Sequence, residues 1–356
     1  RFRHARHVIS RLFPGRLSAL FSPQHGFFAE KQDNMVESAD FFDKELNIPV
    51  YSLYGATRIP TAEMMDGIDA LIVDLQDAGT RVYTFFTTLS YCMEEAARQQ
   101  KTVVILDRPN PVGGLQVEGN CLEPGYASFV GRYPIPMRHS LTIGEYARLI
   151  NAEFHIGCDL SVIAMKGWKR HMYYADTGLA WIPPSPNLPT PASAMVYPGQ
   201  VLWEGTNVSE GRGTTQPFEL FGAPWMDTNA LKNALGETPF SGAVLRPAIF
   251  EPTSGKWAGR SCHGFQIHVT DREKYLPYQT SLALVGAVRK LFGNEFAWKM
   301  PPYEYEWEKL PFDLITGDAQ IRVQLEAGVD AAEMARHWQP QIEAYQQQIR
   351  PYLLYE

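Results

Sequence analysis

Two features of this sequence bring together residue types able to do chemistry. The first is the run Trp203-Glu204-Gly205-Thr206-Asn207-Val208-Ser209-Glu210-Gly211-Arg212-Gly213-Thr214-Thr215, which packs two carboxylates, a guanidinium, hydroxyls and three glycines into a dozen positions. Glycines let a backbone approach a ligand closely and expose its N–H groups. Arg212 can grip a carboxylate through a two-pronged fork. The segment reads as a sugar or anion site, against the plainer alternative of a turn held by Glu–Arg pairing. The second feature is a series of polar groups that each follow a short apolar run: Gln24-His25-Gly26, Tyr54-Gly55, Asp74 through Arg81, and Asp107-Arg108-Pro109-Asn110. His25 beside Gly26 reads equally as a catalytic helper or as a residue that organises its loop.

Those apolar runs are what must position the polar groups. Ala19–Phe21, Val50–Leu53, Ala70–Val73, Val103–Leu106 and Leu160–Ile163 read as strands, with helices expected near 5–13, 61–66, 83–100 and 142–155. Thr142 and Glu145 have the spacing of a capping box, in which each side chain satisfies the other's free amide. Strands that alternate with helices predict parallel βαβ units buried on both faces. In such a sheet ligands bind beyond the carboxyl ends of the strands. Four consecutive strands would deliver polar groups to that one edge, although Asp and Asn also shape turns there.

The texture changes after residue 165. Positions 181–224 hold much Pro and Gly with little periodicity, and the large aromatics Trp181, Tyr197 and Trp203 predict a long ordered loop. Residues 243–250 and 265–270 read as strands, and 278–292 and 330–349 as helices. The expected organisation is α/β, with a parallel-sheet domain over 1–165 and a smaller α/β domain, opened by the loop region, over 166–356.

Composition removes several classes of function. The 356 residues carry 45% hydrophobic and 20% charged side chains, an ordinary globular balance. A net charge of −7 without a Lys/Arg run argues against a nucleic-acid partner. No apolar stretch reaches the roughly 20 residues that span a bilayer. Cys92, Cys121, Cys158 and Cys262 match neither a zinc site nor a disulfide framework, and point to thiols in a reducing, cytoplasmic setting. With no GxGxxG, Walker loop or GxSxG elbow, no cofactor is expected. The chain opens on Arg1-Phe2-Arg3-His4 rather than on Met, which reads as a fragment.

Gln24-His25-Gly26, Tyr51 through Gly55 with Arg58 and Pro60, Asp74 through Tyr83, Leu106 through Pro111, Pro184-Ser185-Pro186-Asn187 and Glu204 through Phe218 together resemble one family. It is the NamZ-type exo-β-N-acetylmuramidases, formerly a domain of unknown function. The resemblance runs to the closing Tyr352-Leu353-Leu354-Tyr355. It implies a Rossmann-like first domain without a nucleotide, a smaller α/β second domain, and a cleft between them. There, terminal N-acetylmuramic acid would be removed from the non-reducing end of peptidoglycan fragments. Family members usually begin with a further strand, in keeping with the fragment reading.

Carried onto this chain, the resemblance implies that Asp77, Glu204 and Glu210 are candidate catalytic carboxylates, with His25 and Tyr83 as hydrogen-bonding partners. Arg81 and Arg212 are candidates to hold the lactyl carboxylate, and Asn110, Asn187 and Asn207 to bind hydroxyls or the acetamido group. Gln24 stands where characterised members carry a glutamate thought to be catalytic. Glycoside hydrolysis needs a proton donor for the leaving oxygen, and an amide cannot serve. Three readings are open: Glu30 supplies the acid; Glu204 or Glu210 does, with Gln24 orienting substrate; or the protein binds muropeptides without cleaving them.

Overall fold

A computed structural model describes residues 2–32, 35–236 and 240–356. In chain order the elements are α1 (Ala5–Leu12), β1 (Leu20–Ser22), β2 (Phe41–Asp43), β3 (Ile48–Ser52), α2 (Ala62–Met65), β4 (Ala70–Val73), α3 (Phe85–Arg98), β5 (Thr102–Leu106), β6 (Glu118–Cys121), β7 (Pro136–Arg138), α4 (Ile143–Glu153) and β8 (Asp159–Ile163). There follow α5 (Pro191–Gln200), β9 (Leu220–Ala223), α6 (Thr228–Leu235), β10 (Ala243–Phe250), β11 (Cys262–Val269), α7 (Pro277–Leu291), α8 (Pro311–Thr316), α9 (Ala319–Ala327) and α10 (Ala331–Ile349).

The five strands expected in the first half all form, and their pairing is parallel. β1 lies along β3, with Leu20 opposite Val50 and Ser22 opposite Ser52, and β4, β5 and β8 make a second parallel group with β5 central. β2 adds to β3 in antiparallel sense. Burial on both faces does not hold throughout. Leu71, Val73, Val103 and Ile105 are buried, whereas Ile72 and Ile163 are largely exposed. The reason is that α3 and α4 cover the same face, packing Phe86, Leu89, Met93, Ile143, Tyr146 and Ile150 onto the strands. Each such side chain, fully buried, contributes about 1.5–3 kcal/mol. The capping box forms: Thr142 Oγ1 accepts from the Glu145 amide at 3.2 Å and Glu145 Oε2 from the Thr142 amide at 3.0 Å.

Beyond residue 165 the expected 181–224 loop is broken by α5 and β9. Pro191 at the first turn, Pro198 and Gly199 inside, and burial of every residue from Ser193 to Gln200 leave α5 without the one-sided pattern that marks a surface helix. β9 pairs with β11, which also pairs with β10, all antiparallel. A large core gathers Trp203, Phe221, Phe265, Leu282 and Phe312 with Val82, Tyr83 and Val112 from the first half. Conversely, Tyr345 and Ile349 of α10 enter the core under α3 and α4. Both cores thus draw on residues from either side of position 165.

Candidate active site

The turn after β1 places Gln24 and His25 over the entrance to α3. Thr84 Oγ1 donates to Gln24 Oε1 at 2.5 Å, so the Gln24 amide nitrogen points the other way, donating to Glu304 Oε1 at 3.0 Å. His25 takes a left-handed backbone (φ 75°), and Gly26 follows at 82°. Its Nδ1 lies 3.0 Å from the Lys31 carbonyl, which can only accept, so Nδ1 carries the proton. The Lys31 amide returns a bond to the His25 carbonyl, closing the loop.

The opposite wall comes from the glycine-rich run. α5 tightens into a 3-10 turn at Val201–Gly205, which carries Glu204. Arg212 Nη1 stands 2.8 Å from Glu204 Oε1 and 3.3 Å from Glu210 Oε1, and Tyr303 Oη donates to Glu204 Oε2 at 2.8 Å. Lys256 Nζ holds Glu210 Oε2 at 2.8 Å while donating to the carbonyls of Trp203 and Val208. Burial alone would raise the Glu210 pKa, but Lys256 and Arg212 outweigh it and bring it down to about 2. Arg212 also lies over the Phe218 ring, 5.1 Å from its centre.

These walls enclose a tight cleft lined by Gln24, His25, Tyr83, Glu204, Arg212 and Glu304, among others. Its free volume is about 30 Å³, far below the ~300 Å³ of a small ligand pocket. A larger hollow of about 490 Å³ between α1, β1 and β4 is lined mostly by apolar side chains such as Phe21, Leu53 and Leu71. The paired carboxylates lie in the smaller space. Burial is the main reason that Glu304 is pushed up to about 7, with Glu204 adding to the rise and Tyr54, Gln24 and Arg212 opposing it.

Of the residues singled out in the sequence, Gln24, His25, Tyr83, Glu204 and Arg212 meet in this cleft. Glu210 sits behind it, buried in the Arg212–Lys256 pairing. Tyr83 Oη is buried without a hydrogen-bond partner among the described residues. Other residues singled out in the sequence do not line the cleft. Glu30 is exposed and bonds the Phe28 amide of its own loop at 3.0 Å, so it caps a turn rather than facing the cleft. Asp77 accepts from the Gly79 amide at 2.5 Å and lies 3.4 Å from His139, as a turn-former. Arg81 is turned inward: its two terminal nitrogens donate to the carbonyls of Asn120, Ile135, Ile315 and Thr316, and its buried Nε has no hydrogen-bond partner among the described residues. A guanidinium with four carbonyl partners has no fork left for a lactyl carboxylate.

The asparagine side chains likewise bond within the fold. Asn110 bonds the Leu141 carbonyl and the Val112 amide, and Asn207 the Glu295 carbonyl and the Ala297 amide. The Asn187 amide goes to the Gln32 carbonyl, anchoring a loop whose Ser185 and Leu188 reach the cleft. The turns after β1 and β3 bring Gln24 and Tyr54 to the site, whereas after β4 the run Asp74 through Arg81 does not line it and Tyr83, two positions further on, does. The strand-end argument does not hold for β5, because Asp107 caps α4 through Thr142 and Gly144 and Arg108 pairs with Asp74. Glu304, Tyr303 and Lys256 went unread. The string Tyr303-Glu304-Tyr305-Glu306-Trp307-Glu308, alternating aromatic and acid, was the available signal for the first two. Among the described residues no cluster of three His, Cys, Asp or Glu could hold a metal ion.

Comparison with known proteins agrees with this architecture. Two family models cover nearly the whole chain, "Exo-beta-N-acetylmuramidase NamZ, N-terminal" over residues 1–192 and "Exo-beta-N-acetylmuramidase NamZ, C-terminal" over 195–355. The peptidoglycan beta-N-acetylmuramidase NamZ of Bacillus subtilis (strain 168) is 43% identical over 340 residues, which span 96% of this chain and 80% of that protein. Crystal structures of two DUF1343 family proteins from Bacteroides fragilis superpose with TM-scores of 0.87 and 0.77 at 33% and 30% identity. Each match covers 99% of this chain and 90% of the other. The chain belongs to the NamZ exo-β-N-acetylmuramidase family.

Proposed function

We propose that this chain is a glycoside hydrolase that releases terminal N-acetylmuramic acid from the non-reducing end of peptidoglycan fragments. Its family membership and its 43% identity to a peptidoglycan β-N-acetylmuramidase support that reading. The structural observation that carries it is a pair of buried carboxyl groups, Glu204 and Glu304, lining one cleft from segments a hundred positions apart. Cleavage of a glycosidic bond requires a proton for the departing oxygen and a carboxylate to assist at the anomeric carbon or to activate water. Two carboxyl groups in unlike surroundings, one against a guanidinium and one against neutral donors, are the arrangement that divides those roles.

Substrate selection turns on the lactyl carboxylate, which distinguishes N-acetylmuramic acid from N-acetylglucosamine. Arg212 is the arginine that lines the cleft, and its Nε has no hydrogen-bond partner among the described residues. It is the group we assign to that acidic handle. The decisive measurement is release of a chromogenic aglycone from a β-N-acetylmuraminide, with the β-N-acetylglucosaminide as control. Turnover of the muraminide alone is the expected result. Turnover of neither, with the sugar still bound in a calorimeter, would replace the hydrolase by a muropeptide-binding protein, the alternative that Gln24 raises.

A further inference from the structure

Glu304 reaches the cleft from the tip of a tight hairpin. Tyr303 and Glu306 exchange two backbone hydrogen bonds of 2.9 Å, which leaves Glu304 and Tyr305 as the two central residues of the turn. Both adopt left-handed backbone, with φ of 45° and 67°. A two-residue turn with positive φ at both centres normally takes Asn-Gly or Gly-Gly, because a Cβ is crowded in that region. Two side-chain-bearing residues there are strained, and such strain collects where a side chain must be aimed.

The carboxyl group so aimed is met by donors from two other segments. Tyr54, in the turn after β3, donates to Oε2 at 2.6 Å, and Gln24, in the turn after β1, donates to Oε1 at 3.0 Å. Gln24 is fixed in turn by Thr84 at the start of α3. Glu204, by contrast, has one oxygen in the Arg212 ion pair and the other on Tyr303. The cleft therefore holds one carboxyl group locked to a cation and one surrounded by neutral donors.

We propose that Glu304 is the catalytic acid of the hydrolysis, with Gln24 and Tyr54 as positioning residues that hold its carboxyl group. The assignment rests on the hydrolase reading above. The Glu304 proton passes to the exocyclic glycosidic oxygen as the bond from that oxygen to the anomeric carbon breaks. The bonding pair leaves with the oxygen, the aglycone departs as a neutral alcohol, and Glu304 is left as a carboxylate. Water then supplies its oxygen to the anomeric carbon and a proton that restores Glu304.

The groups around Glu304 decide its protonation. Glu204, Arg212 and Tyr197 face it across the cleft, Tyr54 and Gln24 touch it, and Tyr303 precedes it on the turn. Burial is the strongest influence and brings the carboxyl to about 7, so a useful fraction keeps its proton at neutral pH.

The test compares two muraminides, one with a nitrophenyl leaving group that departs without protonation and one whose aglycone is an ordinary sugar alcohol. Glu304→Gln should lower kcat/KM for the sugar aglycone by about 10²–10⁴-fold and for the nitrophenyl substrate far less. Equal losses on the two, or no loss on either, would overturn the assignment. Should Glu304→Gln fail to fold, Tyr54→Phe decides. Losing a donor to the carboxylate must raise the pH at which kcat/KM falls off on the basic side, and an unmoved limb overturns the proposal. Wild-type protein that cleaves neither muraminide defeats the hydrolase reading itself, a separate result.

Discussion

Gln24 and Glu304 are 280 positions apart in the chain and 3.0 Å apart in the fold, joined by an amide-to-carboxyl hydrogen bond inside the cleft. The bond draws together a strand-end turn of the first parallel group and the strained hairpin at 303–306. It also gives an amide at position 24 a role that needs no proton of its own, since a donor there steadies the neighbouring carboxyl group.

Gln24→Glu therefore sets two carboxyl groups against each other. Like charges at this separation do not ionise together, so the pair keeps one proton to higher pH than Glu304 does alone. The expected outcome is an upward move of the basic limb of the kcat/KM profile, with activity retained at pH 7. A limb that stayed put or moved down would mean that Glu304 is not the group whose ionisation ends activity.

Arg81 should behave as a stability residue. Its guanidinium joins carbonyls at Asn120 and Ile135, in and beside the β6–β7 hairpin, to carbonyls at Ile315 and Thr316 at the end of α8. Arg81→Met removes four bonds donated to interior carbonyls, two of which, at Ile135 and Thr316, keep another donor, and should lower the unfolding free energy by roughly 3 kcal/mol. Lysine, a single point charge, should restore only part of it. Urea titration measures the loss. A raised KM for the muraminide at unchanged stability would return Arg81 to the substrate.

Glu210 sets a pH window for stability. Its folded pKa is depressed to about 2 from an ordinary value near 4.5, so its pairing with Lys256 and Arg212 contributes fully above 4.5. That contribution disappears as pH falls from 4.5 through 2. The depression corresponds to about 3 kcal/mol. Glu210→Gln should accordingly be less stable than wild type at pH 7, and the gap in denaturant midpoint should narrow as the solution is brought to pH 3. A constant gap across that range would assign the loss to packing rather than charge.

What could be read in the sequence follows from how far each signal reaches. The five parallel strands and α3, α4, α7 and α10 announce themselves through local periodicity and caps, and they form within a few residues of the expected bounds. α5 did not, because a helix buried all round has no polar face to betray it. The site splits the same way. Glu204 and Arg212 stood out because their loop is dense in polar residues, and His25 because it follows a strand. Arg81 had an equally promising neighbourhood, but whether a guanidinium faces a cleft or four carbonyls depends on residues up to 235 positions away. Glu304 had only its alternating aromatic–acid string to mark it, for the complementary reason. Its value comes from Gln24 and Tyr54, which approach it only in the folded chain.

Gly205 offers a sharper test of how closely the Glu204 wall is built. A Cβ placed on Gly205 would lie 2.6 Å from Phe312 Cα and 2.7 Å from Phe312 N, both backbone atoms of α8. Neither can rotate aside, so Gly205→Ala must shift either α8 or the 3-10 turn that carries Glu204. Overpacking of this kind costs about 1–3 kcal/mol in stability. Because Glu204 is the adjacent residue, the strain should also reach the chemistry. We expect kcat on the muraminide to fall roughly tenfold or more, since displacements of about 1 Å near reacting groups are costly to rate. Gly236→Ala serves as the control, because nothing lies within 4 Å of a Cβ at that position. Its backbone, at φ 63° and ψ −158°, lies in a region nearly confined to glycine, so the control is itself destabilising, but at a helix end that does not line the cleft. Equal activity in the two variants would show that the Glu204 turn tolerates displacement, and that its approach to Arg212 and Tyr303 is not held by α8.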